Sequence, residues 1–182
     1  VLSVQRHLRK LRRGVHKANR CTLVLRELRG DRVALEQRLQ LLRDEGVPNY
    51  FGEQRFGRQG STLEQARRWL SSGRKITRNK RGLYLSALRS YLFNRLLAER
   101  VEAGSWNTVL NGDVCMLQGT RSLFTCERVD DDIRARAASG DIHPGLPLWG
   151  RGTAPAGLER ARQQTESLKE DLDICEFLES AG

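Results

Sequence analysis

Hydrophobic and polar residues follow two different periods in the first part of the chain. Residues 21–28 (CTLVLREL) place apolar side chains at every second position, which is the period of a half-buried strand. After Asp31, leucines recur at every third or fourth position, and Asp31 itself can cap a helix that runs to about Asp44. The pattern therefore predicts a strand followed by an amphipathic helix.

The middle of the chain predicts two further helices separated by a basic loop. Residues 61–64 (STLE) have the sequence of a capping box and would start a short helix that Gly73 ends. Residues 73–82 would then form a loop. From Leu83 to about Val101, leucines at helical spacing give the broad apolar face of a well buried helix.

Shorter elements of mixed type are predicted in the last third of the chain. They are two strands within residues 113–128, a helix over residues 130–139, a Pro/Gly loop over residues 141–152 and a helix from about Leu158 to Leu178. The mixture indicates an α+β fold. A change in composition near Arg74 predicts a boundary between residues 1–73 and residues 74–182.

The length and composition of the chain exclude several classes of protein. With 182 residues, of which 38% are hydrophobic, it is large enough to bury a core. No apolar run is long enough for a membrane span or a signal peptide, so we expect a cytoplasmic protein with no membrane contact. The chain begins with Val1 and its only methionine is Met116, so we expect a further segment upstream.

Cysteine, histidine and acidic residues give no indication of a metal site. The four cysteines show no C-x-x-C spacing and the three histidines are scattered, so we expect buried, reduced thiols. Asp130, Asp131 and Asp132 are consecutive, so their side chains point in different directions and suit a helix N-terminus better than a metal ion. We therefore expect no metal.

Charge is distributed unevenly along the chain. Residues 1–60 and residues 61–100 each carry a net charge of +8, whereas residues 101–182 carry −6, within a total of +10. Residues 7–20 and residues 73–82 contain six and five Lys or Arg, respectively, and no acid. Two such clusters favour binding of a nucleic acid, because neutralised phosphates release counterions. A solvated basic face and a membrane surface are the weaker alternatives, and charge does not distinguish RNA from DNA.

Residues 46–57 (GVPNYFGEQRFG) are the most unusual segment of the chain. They combine aromatic and amide residues with three glycines and a proline, which predicts a rigid turn. Asn49 offers two donors and an acceptor, and the Phe51 ring can stack on a flipped base. On chemistry alone, the stronger interpretation is structural, with Asn49 in the turn and Phe51 in the core. The chain has no P-loop and no dinucleotide-binding, serine-hydrolase or zinc-protease motif.

Several long segments resemble the TruD family of tRNA pseudouridine synthases, in order and with similar spacing. They are HLRKLRRGVHKAN (7–19), TLVLREL (22–28), GVPNYFGEQRFG (46–57), RNKRGLYLSALRSYLFN (78–94), NGDVCMLQG (111–119) and HPGLPLWG (143–150). The resemblance covers essentially the whole chain. It departs from the family at Ala18, where glycine is common, and at Cys21, where an aromatic residue is usual; both changes are compatible with altered packing.

The resemblance implies a reaction and an arrangement of domains. The family isomerises a uridine of the D-arm region of tRNA, at position thirteen, without a cofactor. The base is flipped out, its N1 bond to the ribose is broken, and the base is reattached through C5. Residues 1–73 would be the edge of the catalytic domain, and residues 74–182 would be most of the inserted TRUD domain.

The resemblance also implies roles for particular residues. Asn49 and Phe51 correspond to the Asn-x-Phe pair of the active-site cleft: Asn49 would orient the catalytic aspartate or the base, and Phe51 would support the flipped nucleotide. The catalytic aspartate of the family lies in a Gly-x-Lys-Asp-like motif upstream of these segments, so no catalytic residue is assigned in this chain. Independently of the resemblance, the two basic clusters provide the expected phosphate contacts: Arg9, Lys10, Arg12 and Arg13 in the first and Arg78, Lys80 and Arg81 in the second.

We therefore expect a segment of a tRNA pseudouridine synthase whose partner is tRNA. A monomer is favoured, although the sequence leaves the oligomeric state open. Two other functions remain possible. One is a non-catalytic RNA-binding module that uses the same basic surfaces, and the other is an interaction protein whose acidic half recruits a partner.

Overall fold

The computed structural model describes residue 6, residues 21–152 and residues 156–181. Within them, helices are combined with a small antiparallel sheet, so the fold class is α+β, as predicted. None of the described helices is long and apolar enough to cross a membrane. The helices are α1 (Arg32–Glu45), α2 (Glu53–Phe56), α3 (Ser61–Ser72), α4 (Arg78–Glu102), α5 (Asp131–Ala138), α6 (Leu158–Ser167) and α7 (Leu172–Ala181). The strands are β1 (Asp113–Leu117), β2 (Leu123–Cys126) and β3 (Ile142–Gly145), and 3₁₀ turns lie at Arg58–Gly60 and Lys169–Asp171.

Internal contacts divide the chain into two compact units, residues 1–43 and residues 44–182. Helices α3 and α4, which lie on either side of Arg74, pack directly against each other within the second unit. The boundary predicted near Arg74 refers to the domains of the family, and that assignment stays a prediction.

The described part of the first unit contains residues 21–31, which form no regular element, and most of α1. The strand predicted over residues 21–28 is not formed, and Leu23, for example, is 83% exposed. The alternating pattern is present, but a strand needs a neighbour that completes its hydrogen bonds, and the described part of this unit supplies none. The helix is confirmed, although its leucine stripe is not buried.

Helix α4 is the centre of the larger hydrophobic core of the second unit. Leu88, Leu92 and Leu96 recur every four residues, are at most 3% exposed, and pack in one cluster with Ala66 of α3 and Leu178 of α7. A stripe at this spacing lies on one face of a helix, so α4 is fixed between its neighbours. The buried helix predicted in this region is confirmed.

Helix α4 begins earlier than the sequence predicted. Its first residue is Arg78 rather than Leu83, because the Thr77 hydroxyl accepts a hydrogen bond from the Lys80 N–H and caps the helix. The loop predicted over residues 73–82 is therefore wrong in its second half, where the basic residues belong to the first turns of α4.

Predicted helix caps had different outcomes. Asp31 Oδ1 accepts a hydrogen bond from the Val33 N–H at 2.9 Å, and Asp130 Oδ1 accepts one from the Ile133 N–H at 2.9 Å. Both caps are confirmed. The Ser-Thr-Leu-Glu capping box is not formed, because Gly60 takes the N-cap position in the left-handed region and the serine is already helical.

The sheet has the strand order β2-β1-β3, with both pairs antiparallel. Strands β1 and β2 confirm the two strands predicted within residues 113–128. Strand β3 was missed, because Pro144 and Gly145 indicated a loop. Pro144 lies opposite Cys115 of β1 on an edge strand, where a residue without an N–H is tolerated.

The final helix is interrupted rather than continuous. Between α6 and α7, the turn at Leu168 places this side chain in the core, where it is 0% exposed, and buries Asp171. The Asp171 carboxylate accepts hydrogen bonds from Arg67 Nη2 at 3.1 Å and from Tyr91 Oη at 3.2 Å. Leu172, the first residue of α7, is 43% exposed.

Candidate functional site

The aromatic loop, residues 46–57, leads from the end of α1 to α3 and contains α2. Of its glycines, Gly46 and Gly57 have φ near +79°, whereas Gly52 has a negative φ that any residue can adopt. A Cβ at Gly57 would collide with the Thr62 side chain and lie 3.0 Å from the Thr62 nitrogen. The rigid turn predicted from sequence is therefore present, and Gly57 is required for it.

Asn94 of α4 holds the centre of this loop. Its Oδ1 accepts a hydrogen bond from the Phe51 N–H at 3.0 Å, and its Nδ2 donates one to the Phe51 carbonyl at 2.9 Å. One amide side chain therefore satisfies both backbone groups of a residue that lies 43 positions away in sequence.

The Phe51 ring packs between α4 and an arginine. Its centroid lies 5.2 Å from that of Phe93 in an edge-to-face arrangement, and the Arg55 guanidinium lies 5.3 Å from its centroid. Arg55 Nη1 also donates a hydrogen bond to Ser86 Oγ at 2.8 Å. Phe51 is half-buried, so part of the ring is available to a ligand, while the remainder is used in packing.

Asn49 is exposed and lines a crevice of about 1360 Å³. Phe51 does not line this crevice itself, but Phe93, against which its ring packs, does. The wall of the crevice also contains two tryptophans and several polar residues; among them are Trp106, Trp149, Arg134 and His143. The rest of the lining is mostly apolar, so the crevice combines aromatic and aliphatic surface with a few polar groups, as ligand sites commonly do.

The predicted phosphate contacts of the second basic cluster lie on the first turn of α4. Arg78, Lys80 and Arg81 are all exposed, and Arg81 Nη2 donates a hydrogen bond to the Ala181 carbonyl at the end of α7 at 2.6 Å. This turn contains no acidic residue. The first cluster, Arg9, Lys10, Arg12 and Arg13, lies outside the described residues.

A buried ion-pair network borders the crevice and was not foreseen from the sequence. Asp113 Oδ2 accepts hydrogen bonds from Arg100 Nη1 at 2.8 Å and from the Leu110 N–H at 2.9 Å, while Oδ1 accepts one from Arg160 Nε at 3.0 Å. Arg100 also donates to the Thr108 carbonyl. The network joins α4, β1 and α6, and it leaves the Asp113 carboxylate fully engaged.

The cysteines do not provide a nucleophile in this region. Burial raises the pKa of the Cys115 thiol to about 11 and that of Cys175 to about 12. Both thiols are therefore protonated at neutral pH. Nucleophilic attack requires the thiolate, so neither cysteine is a suitable nucleophile. Cys126 is buried as well, whereas Cys21 is exposed, so the expectation of buried thiols holds for three of the four. Among the described residues, no group of three or more His, Cys, Asp or Glu side chains could hold a metal ion.

Asn94, Arg55 and Ser86 were not selected from the sequence, although all belong to segments that carry the family resemblance. The available signal was a polar residue, Asn94, within the apolar stretch of α4, between Leu92 and Leu96. Its partner could not be found from sequence, because it is a backbone group rather than a side chain.

The α+β fold, the aromatic loop and the crevice that Asn49 lines do not by themselves define an activity, so the class of protein is taken from comparison with known families. The chain matches the family model described as tRNA pseudouridine synthase D (TruD) over residues 1–66 and 60–181. It therefore belongs to the TruD family, and the resemblance noted in its sequence is confirmed.

Curated relatives support this membership over the full chain. The tRNA pseudouridine synthase D of Nitrosococcus oceani is 45% identical over 183 residues, covering 100% of this chain and 51% of the relative. That of Methylococcus capsulatus is 47% identical over 182 residues, covering 96% of this chain and 51% of the relative. That of Pseudomonas aeruginosa is 44% identical over 184 residues, with coverage of 100% and 51%. The chain thus spans about half the length of the curated relatives that it matches.

Proposed function

We propose that this chain is the central part of a longer tRNA pseudouridine synthase, which isomerises a uridine of tRNA to pseudouridine. The observation that carries the proposal is the match to the family over the whole chain, including both segments that form the aromatic loop and its anchor on α4. The roles of Asn49 and Phe51 proposed below are those that the resemblance implies, and the geometry of the two residues is used to support them.

In this proposal, Asn49 and Phe51 act at the reacting uridine. Asn49 is exposed at the crevice, where its amide can orient a base edge or a carboxylate. Phe51 is fixed by Asn94, and its remaining exposed surface, together with Arg55, can support a base that has left the stack.

Phosphates of the tRNA would contact the first turn of α4. Cations at a helix N-terminus are unfavourable for the helix itself, because that end of the helix dipole is positive. Arg78 and Lys80 therefore gain nothing from their position within the helix, whereas a bound phosphate would interact favourably with them and with the helix end. Arg9, Lys10, Arg12 and Arg13 are proposed as further phosphate contacts.

No carboxylate of this chain is assigned as the catalytic nucleophile. Asp113 and Asp171 are buried and held by arginines, and the acids that line the crevice lack the sequence context of the catalytic aspartate in the family; these are Asp44, Glu45 and Glu179. We propose that the nucleophile lies in a part of the longer protein outside this chain, and that the reaction requires neither metal nor cofactor.

The position of the modified uridine provides the test. Unmodified tRNA is incubated with the full-length protein, and pseudouridine is mapped by carbodiimide treatment followed by primer extension. A single new stop at position thirteen, in the D-arm region, is expected. Stops elsewhere would contradict the proposed position, and the absence of any stop would contradict the proposed activity.

A non-catalytic RNA-binding module remains the second candidate, because no nucleophile is assigned in this chain. The two functions differ in outcome: such a module would bind tRNA in the same experiment and leave every uridine unchanged. A cytoplasmic location and a monomeric state stay predictions.

A further inference from the structure

Phe51 is connected to α4 through its backbone. The hydrogen bonds within the loop itself are local, from the Tyr50 N–H to the Pro48 carbonyl and from the Arg55 N–H to the Gly52 carbonyl. These bonds define turns, but they do not fix the loop relative to the rest of the protein. The two bonds from Asn94, at 3.0 and 2.9 Å, connect Phe51 to α4, and the bond from Arg55 to Ser86, at 2.8 Å, connects the end of the loop to the same helix.

We propose that Asn94 is a positioning residue of the pseudouridine synthase site. Its amide fixes the Phe51 backbone on α4 and thereby sets the position of Asn49, two residues earlier. The proposal rests on the proposed function, because Asn49 and Phe51 are its substrate-contacting groups. Asn94 itself would contact neither the substrate nor the reacting atoms.

The chemistry of the two hydrogen bonds selects an amide. The Phe51 N–H needs an acceptor and the Phe51 carbonyl needs a donor, and the asparagine side chain offers both in one plane. An aspartate would present a second acceptor to the carbonyl, and an alanine would leave both backbone groups without their partners. The amide is thus the group that the geometry requires.

The rigidity of α4 makes it a suitable anchor. Leu92 and Leu96, which flank Asn94 along the helix, are 0% and 3% exposed and belong to the main core. Phe93 supports the Phe51 ring from the same turn. A positioning contact is most effective when its own support is packed, because small displacements of reacting groups are costly in rate.

Steady-state kinetics of the full-length protein test the proposal. Asn94→Ala and Asn94→Asp are expected to lower kcat by about tenfold to a hundredfold, as displacement of a catalytic group does. The KM for tRNA should change by less than about twofold, because phosphate contacts elsewhere carry the binding. A rise in KM of about tenfold to a hundredfold, with unchanged kcat, would overturn the proposal.

Asn111→Ala is the matched control. Asn111 Oδ1 also accepts a hydrogen bond from a backbone N–H, that of Val129 at 2.8 Å, but it does so away from the aromatic loop. Its loss should leave kcat unchanged within about twofold. A comparable loss of kcat in this variant would show that removing any such asparagine impairs the protein, and would overturn a specific role for Asn94.

A double variant separates positioning from general destabilisation. If Asn94 acts by placing Asn49, its removal should matter less once Asn49 is alanine. In the Asn49→Ala background, Asn94→Ala is expected to lower kcat by less than about threefold further, because coupled residues are not additive. Full additivity of the two effects would contradict the proposal.

Hydrogen exchange on the full-length protein distinguishes failure of this proposal from failure of the proposed function. Asn94→Ala should increase the exchange rate of the Phe51 amide by at least about tenfold, while the Leu92 amide of α4 is unchanged. Unchanged Phe51 exchange would overturn the role of Asn94, whatever the activity. A full-length protein that makes no pseudouridine would contradict the proposed function, and the exchange rates would still decide whether Asn94 holds Phe51.

Discussion

At the scale of single residues, two buried carboxylates hold distant parts of the second unit together. Asp113 is bound by Arg100 and Arg160, and Asp171 by Arg67 and Tyr91. Removing one partner of a buried pair leaves the other charge without compensation, so these residues are expected to matter for stability rather than for chemistry.

The Asp113 network gives a stability prediction. Asp113→Asn should lower the free energy of unfolding by about 3–5 kcal/mol, because the Arg100 charge would stay buried without its counter-ion. Urea denaturation followed by circular dichroism measures this. Asp131→Asn is the control: Asp131 pairs with Arg134 at the surface with its side chain fully exposed, and its loss should cost less than about 1 kcal/mol. Equal losses in the two variants would contradict the account.

The thiols give a second prediction. Burial raises the pKa of Cys115 to about 11 and that of Cys175 to about 12, and Cys126 is shifted in the same direction by burial. In native protein at pH 8, one thiol, the exposed Cys21, should react rapidly with Ellman's reagent, and all four should react after unfolding. Cys21→Ser should abolish the rapid phase. More than one rapid thiol in the native protein would contradict the burial.

The raised pKa values of the buried thiols also predict how the stability of the fold depends on pH. A raised pKa favours the neutral thiol of the folded state, so the stabilisation is complete below the unfolded value of 9.0. It is lost as the pH rises from there toward the folded pKa of about 11 for Cys115.

Asn49 is expected to affect turnover more than binding. In the full-length protein, Asn49→Ala should lower kcat by about a hundredfold and change tRNA affinity by less than about threefold, because orientation of the reacting group acts on the transition state. Single-turnover kinetics and filter binding measure the two quantities. Normal turnover in this variant would show that Asn49 has only a structural role in the turn.

At the scale of elements, the first turn of α4 places basic side chains at a helix N-terminus. Arg81 has a structural partner in the Ala181 carbonyl, so Arg78 and Lys80 are the cleaner pair for testing phosphate contact. The exposed Arg128 and Arg162 lie outside both basic clusters and provide matched controls.

Replacement of Arg78 and Lys80 by glutamine should weaken tRNA binding and flatten its dependence on salt. The slope of log K against log salt concentration should fall by about one for each phosphate contact that is lost. The Arg128→Gln/Arg162→Gln protein should keep the original slope. If both double variants gave the same slope, the start of α4 would be an unused basic face.

The elements also show how far sequence patterns were informative. Helices α1, α4 and α5 and strands β1 and β2 follow from local periodicity and caps, because their own residues determine them. The strand over residues 21–28 failed because a strand depends on a neighbour, and β3 was missed because an edge strand tolerates Pro144. The break at Leu168 is a tertiary effect, because it accompanies the burial of Leu168 and Asp171 against other elements.

The candidate site was also predictable only in part, because local sequence identifies a segment but not its distant partners. Asn49 and Phe51 lie in a segment whose composition is unusual, and the resemblance to the family singled them out. Asn94 could not be assigned a partner, since its hydrogen bonds reach a backbone 43 residues away. Local sequence identified the loop, whereas its anchor required the structure.

At the scale of the whole molecule, the chain consists of two compact units and spans about half the length of its relatives. The proposed chemistry needs a carboxylate placed at the ribose, and none in this chain is assigned to that role. The account therefore predicts that the chain alone binds tRNA weakly and leaves its uridines unchanged, while the full-length protein converts one of them.

Release of tritium from tRNA labelled at C5 of uridine tests this most directly. Isomerisation breaks the N1–ribose bond, forms a C5–ribose bond and releases the C5 hydrogen to water, so every turnover is counted. The account predicts release by the full-length protein and none by the 182-residue chain. Release by the chain alone would show that it contains the nucleophile, and no release by the full-length protein would contradict the central claim.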